Sequence, residues 1–90
     1  VEFGCGTGHY TGAIAAKAEN VVATDVSEEL LSVAMKQFAG QVTLSFQRED
    51  STCTSFEDGS FDTVFEANLL HVIEDPGAAL RENHRVLCEG

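Results

Sequence analysis

Val1-Glu2-Phe3-Gly4-Cys5-Gly6-Thr7-Gly8 opens on an apolar strand tail and then sets three glycines at alternate positions. Glycine tolerates positive φ and lets another molecule approach the backbone with no Cβ in the way. A plain turn rarely needs three at that spacing, although a glycine-rich strand-to-helix turn taken alone can still be structural. Immediately downstream, His9 to Ala18 carries the run Ala13-Ile14-Ala15-Ala16-Lys17-Ala18, whose helix propensity is high in spite of Gly12. The opening therefore predicts strand, glycine loop, helix.

Beyond Asn20, Val21-Val22-Ala23-Thr24 is a short β-branched run of the kind buried on both faces of a parallel sheet, and it stops at Asp25. Ser27 is placed as an N-cap, and Glu28 and Glu29 occupy a first turn where the helix dipole favours negative charge. Leu30, Leu31, Ala34, Met35 and Phe38 follow at helical spacing, with Gly40 as the stop. Val42, Leu44 and Phe46 then alternate with polar residues, the period of a half-buried strand near a sheet edge. A polar stretch from Arg48 to Ser60 with an Asp58-Gly59 turn signal leads to Phe61, Val64 and Phe65, a fourth strand ending near Glu66 or Ala67. Asp75-Pro76 supplies an N-cap and a proline at the first helical position, with Arg81 and Arg85 toward the far end. This alternation predicts an α/β fold: a Rossmann-like, doubly wound parallel sheet of about four strands with flanking helices, part of a larger domain. Ligands of such sheets bind beyond the carboxyl ends of the strands, which directs attention to Gly4 to Gly8, Asp25, Asp50 and Asn68.

Composition narrows the function. Fifteen acidic residues against five Lys and Arg give a formal net charge of -10, and the five cations are scattered. A nucleic-acid surface needs them clustered, so binding to phosphate backbones is disfavoured; a cationic ligand or simple solubility fits better. No apolar run approaches the ~18 residues of a membrane span. Cys5, Cys53 and Cys88 are odd in number and widely spaced, which argues against a zinc site or a disulfide framework and suggests a reducing cytoplasm. No metal site is expected. The chain has no initiator Met and closes on a helix end, so residues 1–90 are read as one domain cut at both ends.

Asp25 is the second chemical feature. A carboxylate at the end of a second strand can accept hydrogen bonds from two ribose hydroxyls, although an isolated Asp there is also a common turn residue. With the glycine loop beside it, the pattern is similar to the core domain of class I methyltransferases, of the type that includes the ubiquinone and menaquinone methylases. In that family Glu2, Gly4, Gly6 and Gly8, with Cys5 between them, match the segment that contacts the methionine and ribose parts of S-adenosylmethionine. Asp25 matches the ribose acceptor, and Val26 the neighbour that lies against adenine. Glu49-Asp50-Ser51 matches the segment that receives the adenine amino group. Phe56 to Asp62 resembles the family's turn into the fourth strand, Asn68 to Pro76 the stretch after it, and Arg85-Val86-Leu87 the approach to a fifth. Two departures stand out. Cys88-Glu89-Gly90 replaces a common Lys-Pro-Gly turn, and Val72 follows His71 where many relatives have a second histidine.

A nicotinamide site would want the third glycine at position 9, but His9 is there and the glycine falls at Gly8. The resemblance thus implies S-adenosylmethionine as cofactor and methyl transfer to a small-molecule acceptor, with a binding domain without catalysis and a nicotinamide reductase as competing readings. Methyl transfer from a sulfonium needs mainly alignment and dryness, so no catalytic residue follows from the pattern; His71 could act as general base or could pack in its loop. His9 and Tyr10 open the first helix and could line the methionine end. The chain from Glu66 to Leu69 lacks an Asn-Pro-Pro-Tyr type motif, which disfavours methylation of nucleobase nitrogens. The acceptor and the oligomeric state are not readable from these residues.

Overall fold

The structure is a computed structural model that describes residues 1–67 and 74–88. In chain order the elements are β1 (Glu2–Phe3), α1 (Thr11–Ala15), β2 (Val21–Asp25), α2 (Glu28–Gln37), β3 (Leu44–Arg48), β4 (Phe65–Glu66) and α3 (Pro76–Val86). The four strands form one sheet in the order β3-β2-β1-β4, and every pairing is parallel. Stepping from β1 to β2 to β3 runs one way across the sheet and β4 lies on the other side of β1, so strand order reverses between β1 and β4. Right-handed crossovers then put α1 and α2 on one face and the following helix on the other.

Side chains follow that division. Ala23 pairs with Phe46, Val21 with Leu44, and Glu2 with both Ala23 and Phe65. On this face Cys5, Val21, Ala23, Leu31 and Leu44 make the core, with Ile14, Ala15, Phe38 and Phe46 packed against it. Phe65 meets Tyr10 here, at the entry to α1. The next residue, Glu66, turns to the opposite face, where Asn83 of α3 donates to its carboxylate at 2.5 Å. Phe3, fully buried, also belongs to the strand interior; burying its ring contributes roughly 2–3 kcal/mol.

Both predicted caps form: Ser27 Oγ accepts from Leu30 N at 3.2 Å and Asp75 Oδ1 accepts from Ala78 N at 3.0 Å. Several boundaries differ from the sequence reading. The first helix is Thr11–Ala15 rather than 9 to 18, because it starts without a side-chain cap and Lys17 N already bonds Ile14 O three residues back, tightening the chain into a turn. Only Leu31, Ala34 and Phe38 of the α2 stripe face the core, while Leu30 and Met35 are exposed. Val42, read as a strand residue, is 98 % exposed; the bonds Gln41 N to Phe38 O and Leu44 N to Gln41 O commit that stretch to turns, and β3 begins at Leu44. The fourth strand is limited to Phe65–Glu66, since β1 offers only two partners, and Phe61 instead makes a parallel bridge to Leu87.

Candidate functional site

The glycine loop leaves the carboxyl end of β1 at the point where strand order reverses. Gly6 and Gly8 have φ of 56° and 99°, values that L side chains rarely adopt. Their surroundings differ. A Cβ on Gly8 would sit 2.6 Å from Phe38 Cε2, whereas a Cβ on Gly6 would meet nothing within 4 Å. Gly8 is therefore required by packing against α2, and Gly6 presents bare backbone to open space, the kind of cradle in which a ligand can lie against the main chain. Gly4, with φ 69°, starts the turn.

Asp25, at the end of β2, is tied to this loop. Its Oδ2 accepts from Gly6 N and its Oδ1 from Ser27 N, both at 2.9 Å. Cys5 N donates to Thr24 O at 2.9 Å, so the loop is also stitched to β2 through its backbone. The Cys5 thiol is buried, and burial pushes its pKa up to about 12, further raised by the nearby Glu2 and Asp25 charges. Its side chain packs into the core formed with Val21, Ala23, Leu31 and Leu44.

Glu2 lies beneath the loop, 2 % exposed. Thr11 Oγ1 donates to its Oε1 at 2.5 Å, which fastens the first turn of α1 to β1. Burial raises the Glu2 pKa, the Thr11 bond works against that, and Asp25 adds to it. Glu2 thus supports the loop from below.

Past β3, Asp50 Oδ1 accepts from Thr52 N at 2.9 Å and Thr52 Oγ1 at 2.6 Å, bonds that lower its pKa and keep it anionic. Burial pushes Glu49 up, but bonds from the Ser55 hydroxyl, the Ser55 backbone and Gln47 outweigh it and leave Glu49 below the usual range. Ser51 is buried in the same turn. The structure brings Val26, 57 % exposed, together with Arg48, Glu49 and Asp50 around a depression of about 440 Å³ beyond the ends of β2 and β3. Arg48 Nε fixes its rim by donating to Val26 O at 2.9 Å. Gly4, Gly6, Asp25, Val26 and Asp50 line a ledge at the carboxyl edge of the sheet, while Glu2, Cys5, Gly8 and Ser51 are buried behind it. Asn68 and His71 lie outside the described residues. A more apolar groove of about 510 Å³ between α2 and β3, lined by Leu31, Met35 and Phe46, belongs to the outer edge of the sheet.

Sequence reasoning missed a second polar assembly. Glu82 of α3, buried, accepts from Arg85 Nε and Nη2 and from the amide and hydroxyl of Thr54, all at 2.7–2.8 Å, while Arg85 Nη1 reaches Asp58 at 2.7 Å. The Arg85 bonds come first, and with those from Thr54 they overcome burial and hold Glu82 down at about 2. Its only sequence signal is the Glu82-Arg85 pair at i, i+3. The network docks the 49–63 segment onto α3. Among the described residues no group of His, Cys, Asp and Glu could hold a metal ion, and no helix is long and apolar enough to cross a membrane.

Comparison with known proteins gives concordant results. A family model described as a methyltransferase domain matches residues 1–90. The demethylmenaquinone methyltransferase of Clavibacter sepedonicus is 37% identical over 90 residues, an alignment covering 100% of this chain and 37% of that protein. The chain thus spans little more than a third of that relative. The solved S-adenosylmethionine-dependent methyltransferase from Mesorhizobium loti superimposes with a TM-score of 0.83 at 28% identity, covering 99% of this chain and 41% of its own. The cyclase SpnF superimposes with a TM-score of 0.88 at 26% identity, covering 99% and 34%.

Proposed function

This chain belongs to the methyltransferase-domain family, and from that premise we propose that it binds S-adenosylmethionine along the carboxyl ends of β1, β2 and β3 and serves methyl transfer to a small-molecule acceptor. The observation that carries the reading is the pair of bonds from Gly6 N and Ser27 N to the two oxygens of Asp25. They aim a carboxylate at the ledge with one oxygen on each side, and each oxygen keeps a lone pair for a ribose hydroxyl. Gly6, open above, fits the methionine-to-ribose span of the cofactor. Val26 and Asp50, at the rim of the neighbouring depression, fit its adenine.

When bound, the cofactor supplies a methyl group already activated on a sulfonium. The chain's own part is to orient and to exclude water. Glu2 holds the loop at its root through Thr11, Asp25 fixes the ribose register, and Asp50, kept anionic by Thr52, offers Oδ2 to an amino group. Asn68 is carried over as a cofactor-binding residue on the family resemblance alone, and His71 is the candidate base for acceptors that must lose a proton. The C. sepedonicus relative, named for a demethylated menaquinone, supports a small-molecule acceptor. A second reading, cofactor binding without methyl transfer, is favoured by the likeness to SpnF, a protein named as a cyclase.

Calorimetric titration of the full gene product with S-adenosylmethionine, with NADH as control, tests the first step. Saturable binding of S-adenosylmethionine alone supports the site. Binding of NADH alone, or of neither, overturns it. Turnover with a supplied acceptor then separates the two readings.

A further inference from the structure

We infer that Tyr10, backed by Phe65, is the aromatic wall of the methionine end of the site and holds the cofactor's sulfonium by a cation–π contact. This rests on the cofactor reading above and assigns a contact that the glycine loop and Asp25 do not provide. Tyr10 is the residue at the entry to α1, two positions past Gly8, and it is 41 % exposed. Its ring is packed by others: Phe65 lies 5.8 Å away, tilted by 53°, and His9 stands edge-on at 4.6 Å and 84°. An aromatic side chain that keeps two fifths of its surface open while packed on Phe65 is partly pre-positioned, so a ligand settling on it meets a reduced ordering cost.

The direction of the ligand follows from sheet order. With ribose at Asp25 on β2 and adenine toward β3, the methionine end extends the other way, over β1 and β4. Phe65 is the β4 residue in register with Glu2 of β1, and Tyr10 covers it. The sulfonium end and the Tyr10 ring therefore meet at the same side of the strand reversal. A cation within about 6 Å of a ring centroid is attracted by the ring's quadrupole, while the neutral thioether left after methyl loss is not. Glu2, beneath the same spot with its carboxylate against Thr11, adds a negative field of the same sense.

The experiment compares S-adenosylmethionine with S-adenosylhomocysteine by calorimetry, at fixed ionic strength, on the full gene product and its Tyr10→Phe, Tyr10→Leu and Asp25→Ala variants. Leucine keeps apolar bulk against Phe65 without the π face. Tyr10→Leu is expected to weaken S-adenosylmethionine by roughly 3- to 10-fold with S-adenosylhomocysteine held within about 2-fold. Tyr10→Phe keeps the original ratio, and Asp25→Ala weakens both ligands together. Equal losses of both ligands in Tyr10→Leu, or no loss, overturn the sulfonium contact while leaving the cofactor reading in place. Failure of the parent protein to bind either ligand overturns both.

Discussion

Gly6 and Gly8 look alike in the sequence and are held for different reasons. At Gly8 a methyl group would run into Phe38 and the backbone would be strained as well; Gly8→Ala is expected to cost about 2–4 kcal/mol of stability, read by urea denaturation. At Gly6 only the backbone term applies, about 1 kcal/mol, but the new Cβ stands where the ligand must approach, so cofactor affinity should fall at least ~10-fold with the fold intact. Comparable stability losses at the two positions would show that the open space above Gly6 is not real. Asp25 was legible as a carboxylate after a strand, yet its bonds to Gly6 N and Ser27 N were not, because they depend on how β1 and β2 lie side by side. Asp25→Ala leaves both amides unpaired and is expected to lose about 1–2 kcal/mol together with cofactor binding; retention of normal affinity would remove Asp25 from the site. The Glu2 bond to Thr11 was equally invisible, since nothing about two residues nine apart says that a turn folds one over the other.

Among the elements, α2 and α3 could be placed from their caps and charge patterns, whereas α1, β3 and β4 could be placed but not bounded. Val42 shows why: alternation continued one step too far, and the turn bonds that remove it from the sheet leave no mark on side-chain periodicity. The docking of the 49–63 segment was hidden for a related reason, in that Glu82 and Thr54 meet only once α3 has folded back. That contact carries a pH signature. Glu82 falls from its usual 4.5 to about 2 in the folded chain, so its stabilisation is complete above pH 4.5 and is lost as pH falls through about 2. Glu2, raised by burial, acts in the opposite sense: its preference for the folded state is present below its ordinary value and lost as pH rises through the folded one. Glu82→Gln should therefore lower Tm at pH 7, on the order of 2–8 °C. The gap to the parent should close as pH is brought from 4.5 to 2, with the Glu2 contribution cancelling in the difference. A gap that stays constant over that window would mean the Glu82 carboxylate is not the group that anchors the loop.

For the molecule as a whole, the architecture was the most legible feature, because a glycine loop after one buried run and a carboxylate after the next can share an edge only if the strands are parallel and adjacent. The reversal between β1 and β4 needed the fourth strand to take its place beside β1, and the pairing of Glu2 with Phe65 supplies it. The same arrangement gathers Glu2, Asp25, Glu49 and Asp50 at one edge of a body only 33 × 30 × 20 Å in extent, carrying a formal charge of -10. At about 0.1 M salt the screening length is about 10 Å, so these carboxylates act on a ligand at that edge while the rest of the charge is largely screened; near 1 M the length is about 3 Å and the field is confined to direct contacts. S-adenosylmethionine carries one net positive charge at neutral pH and its demethylated product none. Raising salt from about 0.05 M to about 0.5 M is therefore expected to weaken S-adenosylmethionine by a few fold while leaving S-adenosylhomocysteine nearly unchanged, measured by calorimetric Kd at each salt. Since every short-range contact shared by the two ligands drops out of the comparison, parallel salt dependence would mean that the acidic edge does not select for charge, and that the carboxylates there serve hydrogen bonding alone.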